Sequence, residues 1–176
     1  DVYKRQIVGG VCNNSGGSLV KRGPAYTELA LYAKVNRNGK LELVNELGIE
    51  LGSNPVEILN NLQNKNYRRT DILSSKKLAS DDKYSSIVRE IDSNKPARYN
   101  ADKRLLYGVS GSAGKVAVFA VRLDTYNIPQ KNQVFYVGSN DSNVFWKLRR
   151  EILSKFKTFP TSGDYLHRDC YDAAKK

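Results

Sequence analysis

Hydrophobic positions along this 176-residue chain first alternate and later recur at helical spacing. Tyr26 to Val35 and Leu41 to Leu47 read as two arms of a β-hairpin, joined through Asn36-Arg37-Asn38-Gly39, residue types that tolerate the positive φ of a tight turn. Leu41, Leu43 and Leu47 alternate with Glu42 and Glu46, so one face of the second arm is wet. Asn54, Pro55 and Glu57 then form a helix start, with Asn54 as cap, Pro55 in the first turn and the carboxylate three residues after the cap. Ile58, Leu59 and Leu62 make that helix's apolar stripe. Residues 64–82 are polar and basic and read as a loop. A short helix to about Asp92 follows, with Tyr84, Ile87, Val88 and Ile91 inward and Pro96 closing it.

The alternating signal returns at Arg104 to Ser110, turns through Gly111-Ser112-Ala113-Gly114, and is strongest from Lys115 to Asp124. Val116, Val118, Phe119 and Val121 lie in a near-continuous apolar run there, the pattern of a central strand covered on both faces. Gln133 to Gly138 reads as a further strand. The longest helix spans about 143–157, and another begins near Asp164. The expected architecture is α+β: a mostly antiparallel sheet of about five strands with three to four helices packed on it.

Composition changes the picture in two ways. Asp1-Val2-Tyr3-Lys4-Arg5-Gln6 matches the translation of a transposase adapter used to fragment DNA for sequencing, and the chain contains no methionine. The reading is therefore an artefact at 1–6, a Gly/Ser/Asn-rich linker at 7–24, and a single α+β domain at 25–176, the C-terminal fragment of a longer chain. Second, the formal net charge is +11, of which the first six residues supply a single unit. Such a field attracts polyanions, of which nucleic acid is the commonest, acidic proteins and anionic membranes being the others. No apolar run approaches the roughly 20 residues of a membrane span. Cys12, Cys170 and one histidine are too few and too scattered for a zinc site, so no metal and no cofactor is expected; the two thiols fit a reducing cytoplasm.

Cations gather in three places. On the helix at 143–157, Phe145, Leu148, Ile152 and Phe156 share one sector, while Lys147, Arg150 and Lys157 share the opposite one and Trp146 flanks them, placed to stack on a base. Arg68, Arg69, Lys76 and Lys77 form a second cluster beside Tyr67, and Lys95, Arg98, Lys103 and Arg104 a third beside Tyr99. Cations interleaved with aromatic rings suit phosphate contact and base stacking.

Several short matches fail on their chemistry. Ile7-Val8-Gly9-Gly10 looks like a trypsin-type N-terminus, but the triad has no histidine in place. Ser110 to Val116 and His167-Arg168-Asp169 look like kinase elements without the residues between and after them. Phe135-Tyr136-Val137-Gly138, followed by Arg149 and Arg150, resembles the second half of a GIY-YIG endonuclease core, without its first half and without a glutamate after Glu151. His167 is the only histidine, which excludes two-histidine mechanisms.

The leading expectation is thus a nucleic-acid-binding module, cytoplasmic and without membrane contact, acting through Lys147, Arg150, Lys157, Arg68, Arg69, Lys76, Lys77 and Trp146. One alternative is a metal-independent ribonuclease of the toxin type using Tyr136, Arg150 and His167. Another is a phage or mobile-element assembly protein with a protein partner.

Overall fold

The computed structural model describes residues 6–175. Most of the adapter-like hexapeptide, residues 1–5, lies outside the described residues. The central element is the strand β1 (Ala30–Val35), paired antiparallel with β2 (Leu41–Asn45) on one side and β3 (Ala117–Val121) on the other. Asn36 closes the hairpin between β1 and β2, its side-chain oxygen accepting from the backbone N–H groups of Asn38 and Lys40 at 3.0 Å, while Gly39 takes φ +75°.

Strand alternation sends successive β1 side chains to opposite faces, and both faces are covered. Leu31 joins Leu47, Ile49, Leu51 and Ile58 in one core layer, which the helix α2 (Pro55–Gln63) closes. Ala30 and Tyr32 join Val11 and Val109 in the other, beneath the short helix α1 (Ile7–Cys12). Each wholly buried side chain such as Leu31 or Leu47 contributes about 1.5–3 kcal/mol by leaving water. The start of α2 is as its sequence dictates: the Asn54 side chain accepts from the Glu57 N–H at 3.0 Å, and the Glu57 carboxylate reaches back to the Ser53 N–H at 2.9 Å.

A third, smaller core lies apart from the sheet. Tyr84 and Val88, from helix α3 (Tyr84–Ile87) and its end, enclose Leu153 and Phe159. Leu153 belongs to α4 (Ser142–Lys155), the longest helix; α5 (Arg168–Ala174) ends the described chain.

The expected architecture needs correction. Among the described residues the sheet has three strands, not about five, and five α-helices are present, not three to four. Residues 104–110 form no strand. Asp102 caps a single 3-10 turn (Lys103–Leu105), and Gly108, at φ +50°, bends the backbone out of extended geometry. Residues 133–138 form no strand either, since nothing pairs with them and every one is exposed. The run at 115–124 contributes an edge strand, not a central one. Its pairing with β1 slips between Leu31, opposite Ala120, and Tyr32, opposite Val118. Phe119 is left outside the register as a bulge and stands half exposed. Residues 7–24, expected as a linker, carry α1 and two side chains with no exposure at all, Val11 and Asn14.

Candidate functional site

Charge was the feature singled out from the sequence, and the structure disperses much of it. Arg68 closes a turn with Asp71: its backbone N–H donates to the Asp71 carboxylate at 2.7 Å, which is the chief reason that carboxyl titrates below the usual range. Lys77 donates to Glu46 at 2.8 Å, and Glu46 also accepts from the Tyr32 hydroxyl at 3.3 Å. Burial, aided by Glu46, pushes the Tyr32 phenol up to about 12. Arg150 donates to Asp92 and lies over the Trp146 ring, 4.9 Å from its centroid. Of the seven cations assigned to phosphate contact, Lys77 and Arg150 therefore hold local structure through their side chains, while Arg68, Arg69, Lys76, Lys147 and Lys157 remain exposed. In the third cluster, Arg104 grips Asp102, whose carboxylate is almost wholly enclosed. Burial alone would raise the Asp102 pKa, but the hydrogen bonds from Arg104 outweigh it and hold it low.

Tyr136, Arg150 and His167 are engaged separately, Arg150 with Asp92 and His167 with Asp169. No hydrogen bond joins them among the described residues. Tyr136 is 95% exposed. His167 instead caps α5: its Nδ1 lies 3.2 Å from the Asp169 backbone N–H, which gives the ring a structural duty. Cys12 and Cys170 are both free, and no group of three or more metal-ligating side chains forms among the described residues.

A different surface stands out in the segment expected as a further strand. Val134, Phe135, Tyr136 and Val137 are 71%, 75%, 95% and 54% exposed, and Ile128 just before them is 88% exposed. Such consecutive apolar exposure is unusual on a folded surface and marks an interaction site. Helix α4, which follows in the chain, exposes further apolar side chains. Asp141 caps the helix, accepting from the Asn143 N–H at 2.9 Å. Only Leu153 of α4 is buried, so the helix is pinned near its C-terminal end instead of lying along the sheet. Of the expected inward stripe, Phe145 and Ile152 are half-buried, whereas Leu148 and Phe156 are exposed with Val144 and Trp146. Phe145 meets Tyr165 with ring centroids 5.5 Å apart, and Tyr165 leads to His167 at 6.5 Å. Lys147, Arg149 and Lys157 are exposed as well.

Further contacts join this region to the rest. The Arg89 guanidinium donates to the carbonyls of Leu153 (3.0 Å), Phe156 (2.9 Å) and Lys157 (3.3 Å), satisfying the free C-terminal carbonyls of α4, and stacks on Phe159 at 4.0 Å. A bridge between Leu19 and Ser162, flanked by Val20 N–H to Thr161 O at 3.2 Å, ties the following loop to the N-terminal segment.

The same region carries a family match. Residues 134–176 match the model described as "D-lactate dehydrogenase, membrane binding". Over 170 residues the chain is 52% identical to the quinone-dependent D-lactate dehydrogenase of Haemophilus influenzae, 51% to that of Escherichia coli and 41% to that of Corynebacterium glutamicum. Its relatives are dehydrogenases. In each case 97% of this chain aligns, and it spans 30% of the relative's length.

These findings overturn the functional expectation. Relatives of this kind, aligned over nearly the whole chain, are not nucleic-acid modules, toxin-type ribonucleases or mobile-element assembly proteins. The match at 134–176 likewise overturns the assignment of a nucleic-acid partner, of no membrane contact and of a cytoplasmic location. The physical reason is that a positive surface selects polyanions as a class. What separates an anionic membrane from a nucleic acid is exposed aliphatic and aromatic area beside the cations, and that becomes visible only once Val134–Val137 and α4 are seen to lie uncovered.

Proposed function

We propose that this chain is part of a quinone-dependent D-lactate dehydrogenase and supplies its contact with the membrane surface. The observation that carries the reading is the coincidence of the exposed apolar row Val134–Val137, and of α4 with its cations, with the segment that matches a membrane-binding model. No helix among the described residues is long and apolar enough to cross a membrane. Attachment is therefore interfacial: apolar side chains enter the headgroup boundary while Lys147, Arg149 and Lys157 face anionic lipid. Trp146 suits the same boundary, having an apolar ring body and a polar N–H.

The chemistry gives such attachment a purpose. Oxidation of D-lactate to pyruvate releases two electrons and two protons, and a quinone takes up both to become quinol. A lipophilic quinone resides in the bilayer, so an enzyme held at the surface shortens the path to its acceptor. The test is quinone reduction by the full-length protein bearing this chain, in the presence of vesicles containing a short-chain ubiquinone. Quinol should form with D-lactate and far more slowly with L-lactate. Absence of D-lactate-dependent quinol formation would contradict the assignment of activity, and equal rates with the quinone inside or outside the vesicles would contradict the role of attachment.

A further inference from the structure

A second feature of the matched segment is concave and polar. An open cleft of about 430 Å³ lies where the C-terminal end of α4 meets α3 and the N-terminal segment. Lys21, Ser85, Ser86, Arg89, Lys157 and Thr158 line it, with Phe159 as its apolar wall. The lining thus includes three cationic and three hydroxyl-bearing residues and, among the described residues, no carboxylate.

We propose that this cleft binds a phosphate group, either that of a phospholipid headgroup or that of a soluble phosphate ester. The geometry suits an oxyanion. Arg89 is held rigidly: three of its N–H bonds go to the carbonyls of Leu153, Phe156 and Lys157, and its plane rests on Phe159. A guanidinium carries five donors, so the Nε–H and one Nη1–H of Arg89 remain uncommitted. Lys157 follows directly from the end of α4, and Lys21 approaches from the N-terminal segment. Their ammonium groups act as mobile point charges about the fixed guanidinium. Ser86 donates its hydroxyl hydrogen to the Lys83 carbonyl at 2.9 Å, which orients that side chain; Ser85 and Thr158 supply neutral donors.

The cleft also has a structural consequence. It is built from both sides of the junction between the matched segment and the remaining body, with Lys157 and Thr158 on one side and Lys21, Ser85 and Arg89 on the other. A bound phosphate would clamp that junction and fix the orientation of α4. The lipid source rests on the membrane-surface reading above; the phosphate chemistry itself does not.

The experiment separates the two. The 176-residue chain is titrated with glycerol 1-phosphate and with inorganic phosphate by calorimetry, without vesicles, as wild type, as Lys21→Gln/Lys157→Gln and as Thr158→Ala. Saturable binding that weakens at least tenfold in the double variant and measurably in Thr158→Ala is the expected result. The absence of saturable binding of either probe, or equal affinity in all three proteins, would overturn the proposal. Flotation with phosphatidylglycerol vesicles, and with phosphate-free vesicles of galactolipid and oleate at equal charge, then names the source. Glycerol 1-phosphate displacing the protein only from the former supports a headgroup, and displacement from neither supports a soluble ester. Phe135→Ala should retain phosphate binding while losing vesicle affinity, so failure of the cleft and failure of the membrane reading give different results.

Discussion

Replacing Phe135 by alanine isolates the hydrophobic part of membrane attachment. The side chain is 75% exposed, so about three quarters of its surface is available for transfer out of water, and little of it supports the fold. Full burial of a phenylalanine is worth roughly 1.5–3 kcal/mol. Scaled by that exposure, Phe135→Ala should cost about 1–2 kcal/mol of partition free energy, or roughly a 5–30-fold rise in the lipid concentration needed for half-binding. The assay is co-sedimentation with sucrose-loaded vesicles of mixed neutral and anionic lipid. The salt dependence of binding should be unchanged, since no charge is removed, and the urea midpoint should match the wild type, since the residue packs on nothing buried. Wild-type partition by Phe135→Ala would refute the argument. So would a large loss of stability, which would show the segment to be structural.

Three other perturbations test separate links. Lys147→Gln/Arg149→Gln should weaken binding to anionic vesicles by roughly 2 kcal/mol, at about 1 kcal/mol per cation near a charged surface, and leave binding to neutral vesicles unchanged; equal loss on both would contradict an electrostatic role. Leu153→Ala opens a cavity in the small core that pins α4 and should cost about 2–5 kcal/mol in urea unfolding; a change below 1 kcal/mol would mean that α4 is held elsewhere. Asp102→Asn tests the buried contact with Arg104. The Asp102 pKa is lowered in the folded protein, so its stabilisation is present above the unfolded carboxylate value near 4 and is lost as pH falls through the folded value. The variant should be less stable than wild type at pH 7, and the gap should close in strongly acidic buffer; a pH-independent gap would contradict the assignment.

What the sequence made legible was local. The turn at Asn36–Gly39 and the start of α2 at Asn54 and Glu57 are encoded within four residues each, and both form as read. What it hid depends on partners distant in the chain. Val134–Val137 has the apolar content of a strand, but a strand needs an edge to pair with, and none reaches it among the described residues. An apolar run that faces protein and one that faces lipid share the same pattern. The glycine- and asparagine-rich stretch after α1 has linker composition, yet Asn14 is wholly buried at φ +50° and donates to the Asn100 carbonyl at 3.4 Å. The basic clusters were visible as composition, but which cations are already paired was not. Asp92 lies 58 residues from Arg150, and Glu46 lies 31 from Lys77.

Trp146 offers the most direct test of the central claim, that the surface formed by α4 and the Val134–Val137 segment lies on a membrane. It is the only tryptophan in the chain, it sits on α4, and it is 56% exposed. Adding anionic vesicles should shift its emission to the blue, and lipids brominated near the headgroup should quench it more strongly than lipids brominated deep in the acyl chain. An emission spectrum unchanged by saturating lipid, with no quenching by either set of brominated lipids, would contradict the account.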